Sequence, residues 1–283
     1  MKEVQKGKVI IAGAGPGDPE LVTLKTIRYL QQADVILTDR LVSSVLLDEY
    51  ANPHAEITYV GKQCRRGAST PQSTINQLLV HHAFAGSLVL RLKGGDVSIF
   101  SNILDELQIL REHEIPYEIV PGISAALGAA AYSAIPLTAR GFSTAVRFLT
   151  FYKSDVLTAE YWNELAHTSD TLVFYMSSET IEGVVSNLLA HAISSEKMLA
   201  VIEQATTPYQ RVHVTSLSEF ETKLKGKKFT SPSLIIIGRV VRLHEEFSWL
   251  TNSEVNESYF EQVSAAVKNL ITTQKESVYA GRA

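Results

Sequence analysis

From Lys8 onward the chain alternates short runs rich in Val, Ile, Leu and Thr with longer stretches whose apolar residues recur at helical spacing. Gly, Pro or Asp marks almost every change. A chain patterned in this way folds as strands joined by helices, so it reads as an α/β protein. In the first half, strands are expected at Val9–Ala12, Val35–Thr38, Glu56–Val60, Leu88–Leu92 and Tyr117–Val120. Helices are expected between them near Glu20–Gln31, Pro71–Ala85, Ile103–Glu114 and Ser124–Ala131. Within the second of these, Ile75, Leu78, Leu79 and His82 carry the expected spacing, and Pro71 suits a first helical position.

The 283 residues are enough for roughly two domains. A Pro- and Gly-containing stretch from Ile135 to Ser143 interrupts the alternation and marks the expected boundary, giving domains over 1–140 and 141–250. The second half repeats the pattern, with strands expected at Ala145–Thr150, Thr171–Met176, Met198–Glu203, Gln210–Thr215 and Ser233–Gly238. After Leu250 a polar joint leads to Tyr259, Phe260, Val263, Val267, Leu270 and Ile271, spaced as one helical face, so 251–283 reads as an appended amphipathic helix or tail.

Composition narrows the function classes. Hydrophobic residues make up 45% of the chain, which supports a buried core and excludes a disordered or fibrous protein. With 26 Lys and Arg against 30 Asp and Glu, the net charge is -4, so binding nucleic acid by bulk charge is not expected and any anion site must be local. Cys64 is the one cysteine, which excludes an internal disulfide and a Cys-rich zinc or iron–sulfur framework and fits a reducing cytoplasm. No metal site is expected, because the histidines are scattered and His81 and His82 point to different faces of a helix. The apolar run Val9–Ala12 is too short for a signal-peptide core, and no window reaches the roughly 20 apolar residues of a membrane helix. A soluble, cytoplasmic protein without a membrane partner is therefore expected.

Three glycine-bearing turns follow expected strands: Gly13-Ala14-Gly15-Pro16-Gly17-Asp18-Pro19, Lys93-Gly94-Gly95-Asp96 and Pro121-Gly122-Ile123-Ser124. The first lies between strand and helix, where bare backbone and an electropositive helix N-terminus invite a phosphate-bearing ligand. Asp39, at the end of the next strand, stands where a ribose-binding acid would sit in a dinucleotide site. Asp18 nevertheless occupies the position where that fingerprint needs its last glycine, and a tight turn without a ligand is the bland alternative. In open α/β sheets ligands bind beyond the carboxyl ends of strands, so the three turns are expected to meet at one site. Lys62, Arg65 and Arg66 place three cations within five residues at a strand end, with Arg40, Arg140 and Arg147 available nearby in function. They either line an anionic cleft or form a solvated basic loop.

Taken in order, these segments resemble the tetrapyrrole methylase family from about Lys8 to Leu250. The resemblance is carried by Gly13–Asp18, Thr38-Asp39-Arg40-Leu41-Val42, Val60-Gly61-Lys62, Pro71-Gln72 and Arg91-Leu92-Lys93-Gly94-Gly95-Asp96. It continues through Val120-Pro121-Gly122-Ile123, Ile135-Pro136-Leu137-Thr138, Val173-Phe174-Tyr175-Met176, Glu203-Gln204-Ala205-Thr206-Thr207 and Ser231-Pro232. It implies two α/β domains with S-adenosylmethionine in a cleft between them, a homodimer, and methyl transfer to two pyrrole carbons of uroporphyrinogen III. The product would be precorrin-2, which serves sirohaem or cobalamin biosynthesis.

Carried over by motif, the resemblance makes Pro16, Gly94, Gly95, Asp96, Ile99, Ser124, Ala125, Met176 and Ala205 the contacts of the methyl donor. Asp39 would be the proton acceptor and Lys62 the proton donor, while Arg40, Arg65, Arg66 and Arg140 would recognise substrate carboxylates. The chain also departs from the family. Val97-Ser98-Ile99-Phe100-Ser101-Asn102-Ile103-Leu104 replaces a Pro followed by a Phe-Gly-Arg-Gly run, no histidine precedes Pro71-Gln72, and Ala139 stands where a histidine is usual. These departures lie on the presumed substrate side. They leave open a methylase of a later corrin precursor, an RNA or diphthine methylase on the same fold, or an idle donor-binding module.

Overall fold

The computed structural model describes residues 6–61, 70–152 and 157–260. The described chain forms two compact units, the first running to Ser124 and including Phe260, the second comprising Ala125–Tyr259. The division falls upstream of the 140/141 boundary expected from the Pro and Gly stretch. Its physical reason is the helix Ala125–Tyr132, whose second amide, Ala126 N, donates at 3.1 Å to the Tyr175 hydroxyl in the second sheet. The segment that looks like a linker in sequence therefore follows a helix already committed to the second unit. Of the expected appended helix, residues 261–283 lie outside the described residues.

The first unit is built on a parallel sheet of β1 (Lys8–Gly13), β2 (Val35–Thr38), β3 (Glu56–Tyr59), β4 (Leu88–Lys93) and β5 (Tyr117–Val120), in the order β3-β2-β4-β1-β5. Its central strands read as continuous apolar runs because both faces are covered. On one face Val9, Ile11, Leu37 and Val89 pack with Ile75 and Leu79 of α3 (Gln72–Phe84) and Leu110 of α4 (Ile103–Glu112). On the other, Ile10, Ile36, Leu90 and Leu92 pack with Leu30 of α1 (Leu24–Gln32) and Leu46 of α2 (Ser44–Tyr50). Each such fully buried Leu or Ile contributes about 1.5–3 kcal/mol relative to exposure.

The helix expected from Glu20 starts later. Pro19–Leu21 forms a single 3-10 turn capped by the Asp18 carboxylate, which accepts from Glu20 N at 2.9 Å. Thr23 then caps α1, its hydroxyl accepting from Thr26 N at 3.2 Å. The residue that breaks the dinucleotide fingerprint thus has a local structural task, and the α1 N-terminus does not stand directly behind the glycine loop.

The second unit holds a mixed sheet of β6 (Val146–Thr150), β7 (Thr171–Tyr175), β8 (Met198–Glu203), β9 (Arg211–Ser216) and β10 (Ser233–Gly238), in the order β6-β7-β10-β8-β9. Only the β6–β7 pair is parallel. Its core joins Leu172, Phe174, Val201 and Ile235 of the sheet to Trp162 of α6 (Ala159–His167) and Leu188 of α7 (Ile181–Ala190). The helix Ala125–Tyr132 is α5 and packs on β10.

Candidate functional site

Strand order places β4, β1 and β5 side by side, so the turns that leave their carboxyl ends meet. Gly15 and Gly95 exchange backbone hydrogen bonds, with Gly15 N donating to Gly95 O at 3.2 Å and Gly95 N to Gly15 O at 2.7 Å. A Cβ on Gly13 would lie 2.5 Å from Gly95 O and 2.7 Å from the Gly122 backbone, and one on Gly122 would lie 2.3 Å from Gly95 O. Those two positions are therefore glycine because three turns stack on one another. The Thr26 hydroxyl donates to Gly13 O from behind at 3.2 Å.

Asp96 fastens the third turn. Its carboxylate accepts from Gly122 N at 2.9 Å and from Ser98 N at 2.8 Å, and also takes the Ser98 hydroxyl. Burial pushes this carboxyl up, but the Ser98 hydroxyl and the Gly122, Ser98 and Val97 amides outweigh it, and the net shift is below the ordinary value. Gly94, Gly95 and Asp96 are half-buried between fully buried Lys93 and Val97, so this turn keeps part of its surface open at the carboxyl end of the sheet. Pro16 and Ser124 are buried, and Ile99 is half-buried.

Asp39 follows β2 on the same edge. One carboxylate oxygen accepts from Leu41 N at 2.9 Å and the other from Gly94 N at 3.2 Å, which ties the β2 turn to the β4 turn. Gly94 admits this approach because a Cβ there would sit 2.8 Å from the Leu41 Cβ. Gly61 lies against Asp39, its added Cβ falling 3.5 Å from the Asp39 Cβ. Lys62, Arg65 and Arg66 themselves lie outside the described residues, and so does Cys64. Arg40 is half-buried in the Asp39 turn, whereas Arg140 is exposed in a loop of the second unit.

Sequence reasoning missed the group beneath the glycine turn. Arg91 and Lys93 project from the same face of β4, and both donate to one oxygen of the Glu106 carboxylate on α4 at 3.0 Å. Arg91 also donates to Leu37 O and Leu92 O. All three side chains are at most 5% exposed. Burial and the neighbouring Arg91 charge lower the Lys93 ammonium from its ordinary value, with Glu106 opposing. The signal was present: two cations at i and i+2 on an otherwise apolar strand require a buried acid.

In the second unit, Ala125 is the first residue of α5. Met176 follows β7 with φ 53° and is 51% exposed, with the Tyr152 hydroxyl 3.2 Å from its sulfur. Ala205 is buried in a turn whose flanking residues, Gln204 at φ 48° and Thr206 at φ 68°, are both left-handed. Among the described residues no cluster of three or more metal-ligating side chains occurs, and no helix is long and apolar enough to cross a membrane.

A two-sheet α/β chain with stacked glycine turns at the carboxyl edge of its parallel sheet is the architecture of a class of methyltransferases, and residues 8–221 match the family model of tetrapyrrole (corrin/porphyrin) methylases. The chain belongs to that family of methyltransferases. It is 46% identical over 243 residues to a siroheme synthase of Saccharophagus degradans, covering 86% of this chain and 53% of that protein. A siroheme synthase of Vesicomyosocius okutanii is 44% identical over 247 residues, with 87% and 53% covered. The chain thus spans about half the length of these curated relatives.

Among solved structures, a uroporphyrin-III C-methyltransferase from Thermus thermophilus superposes with a TM-score of 0.70 at 33% identity, covering 85% of this chain and 96% of that one. The same enzyme complexed with S-adenyl homocysteine gives 0.69, also at 33% identity and with 84% and 94% covered. A cobalt precorrin-4 methyltransferase gives 0.73 at 26% identity, with 83% and 95% covered.

Proposed function

We propose that this methylase acts on uroporphyrinogen III, transferring methyl groups from S-adenosylmethionine to two pyrrole carbons to give precorrin-2 for sirohaem or cobalamin biosynthesis. The observation that carries the reading is the tie between Asp39 and the Gly94 amide. It puts the proposed proton acceptor on the same backbone unit as the proposed donor-binding turn. The relatives named siroheme synthase and the Thermus neighbour favour this substrate over a later corrin precursor.

The residues present fit the donor. Gly94, Gly95 and Asp96 offer a partly open turn fixed by Gly15 and Gly122, and Pro16, Ile99 and Ser124 complete the set in the first unit. Ala125, Met176 and Ala205 are the further donor contacts that the family resemblance assigns. When bound, S-adenosylmethionine supplies a methyl group already activated by its sulfonium. The chain's part is to hold donor and ring in line and to exclude water. Asp39 then takes the proton that leaves the methylated ring: a carboxylate has about four lone-pair sites, so accepting the Leu41 and Gly94 amides does not exhaust it. Lys62 returns a proton to the macrocycle, and Arg40, Arg65, Arg66 and Arg140 hold the substrate carboxylates.

The test offers the purified protein methyl-labelled S-adenosylmethionine with either uroporphyrinogen III or precorrin-2 and its more methylated successors. Label should enter uroporphyrinogen III. Label entering only the later precursors would replace this substrate, and binding of the donor without any transfer would make the protein an idle module.

A further inference from the structure

The segment from Trp249 to Tyr259 contains no helix or strand, yet it is fastened along its length. Trp249 donates from its ring nitrogen to Ala131 O at 3.0 Å and stacks edge-on with Tyr132. Asn252 closes a two-bond ring with one residue of β9, accepting from Val212 N at 2.6 Å and donating to Val212 O at 3.0 Å. Ser253 N donates to Gln210 O, and the Tyr259 ring meets Tyr209 at 5.8 Å.

The last clamp is made by Gln204. Its fully buried side chain donates to Glu257 O at 3.0 Å and accepts from Tyr259 N at 2.7 Å, pairing with the segment as a strand backbone would. Gln204 is also the residue that enters the turn containing Ala205, and it does so with φ 48°. Two residues on, Thr206 is β-branched and left-handed, a conformation such residues adopt only when their surroundings impose it. The surroundings here are specific: Gln204 N donates to Pro232 O, Thr206 N to the Gln210 side chain, and the Thr207 hydroxyl to Gln204 O, each at 2.8 Å. The Gln210 amide in turn donates to Tyr132 O at 3.0 Å, so the same α5 end that receives Trp249 also steadies the turn.

We propose that residues 249–259 are a strap that sets the backbone of the Glu203–Thr207 turn through Gln204, making Gln204 a positioning residue for the methyl donor. The proposal rests on the reading of Ala205 as a donor contact. A strap anchored at both ends holds the far end of the Gln204 side chain, and this fixes the left-handed residue that presents Ala205. Without the clamp the turn can relax toward ordinary backbone angles, and the donor must restore it on binding.

The test measures S-adenosylhomocysteine binding by calorimetry, together with initial rates, for the full chain and for Gln204→Leu, Asn252→Ala and the double variant. Gln204→Leu should weaken binding about tenfold, the order expected for losing a buried pair of hydrogen bonds. The KM for S-adenosylmethionine should rise with it, while kcat and the KM for the tetrapyrrole stay near their original values. Asn252→Ala, which unclips the strap without touching the turn, should weaken donor binding in the same direction, and the double variant should fall short of the sum. Variants that melt earlier but bind the donor as the unaltered chain does would reduce the strap to a structural tie and overturn the proposal. Should Gln204→Leu fail to fold, unchanged donor affinity in Asn252→Ala overturns it by itself. If the unaltered chain binds no S-adenosylhomocysteine, the reading of the donor site falls and takes the proposal with it.

Discussion

The Asp39 carboxylate accepts the Gly94 amide at 3.2 Å while its other oxygen accepts the Leu41 amide, so one side chain joins two loops of the parallel sheet. This gives Asp39→Asn a double consequence. The amide keeps one acceptor and turns an N–H donor toward a backbone N–H, so one of the two ties is lost along with the basicity. Turnover should fall by about 10²- to 10⁴-fold, the usual weight of a positioned base. Donor affinity should also fall, by roughly 3- to 10-fold for one weakened hydrogen bond. Initial rates and calorimetry on the same preparation check both, and an unchanged donor affinity would free Asp39 of its structural part.

The stacked turns predict a strong effect from a very small change. Gly122→Ala places a methyl group 2.3 Å from Gly95 O, a contact that backbone alone must relieve. Stability should drop by about 1–3 kcal/mol, as for overpacking elsewhere, and donor binding should weaken because the Gly95 turn moves. Urea unfolding and calorimetry report the two losses separately.

Glu106→Gln removes the countercharge of two buried cations. Breaking a buried pair by changing one partner costs ~3–5 kcal/mol, and here both Arg91 and Lys93 lose their partner. The urea midpoint should fall accordingly with the slope unchanged. A loss below about 1 kcal/mol, the range of surface pairs, would mean the three groups are not held as tightly as their distances imply.

Glu118 predicts a pH dependence. The Lys25 and Lys8 ammoniums and the Tyr29 hydroxyl hold its carboxyl at about 2, below its ordinary 4.5. A carboxyl depressed on folding stabilises above its ordinary value and loses that contribution as pH falls toward the folded value. The stability difference between the unaltered chain and Glu118→Gln should therefore be full at neutral pH, shrink between pH 4.5 and 2, and be smaller in high salt, since the group is partly exposed. A difference independent of pH would assign the effect to packing.

Much of the fold was legible because most strands are short runs rich in β-branched or apolar residues with a turn residue close to their ends. Val35–Thr38, Tyr117–Val120, Met198–Glu203 and Ser233–Gly238 form as their residues indicate. The start of α1 was not legible, since Asp18 and Thr23 are both good caps and only the packed structure shows that each caps a different turn. The packing of α5 was not legible for a related reason: it is an Ala-rich helix whose Ala126 amide finds its partner in Tyr175, far along the chain.

The convergence of the glycine turns could be read from general rules for open sheets, whereas the roles of Pro16, Ile99, Met176 and Ala205 came only from resemblance. Glu106 and Gln204 escaped notice because each acts through partners distant in sequence. Neither Arg91 nor Glu257 lies at a spacing that a local pattern can reveal.

The most direct measurement of the central claim is the number of labelled methyl groups found on the tetrapyrrole after anaerobic incubation of this protein with uroporphyrinogen III and excess methyl-labelled S-adenosylmethionine. Mass analysis of the product should show two labelled methyl groups per macrocycle, with S-adenosylhomocysteine formed in step. A macrocycle that remains unlabelled while the protein demonstrably binds S-adenosylhomocysteine would contradict the account.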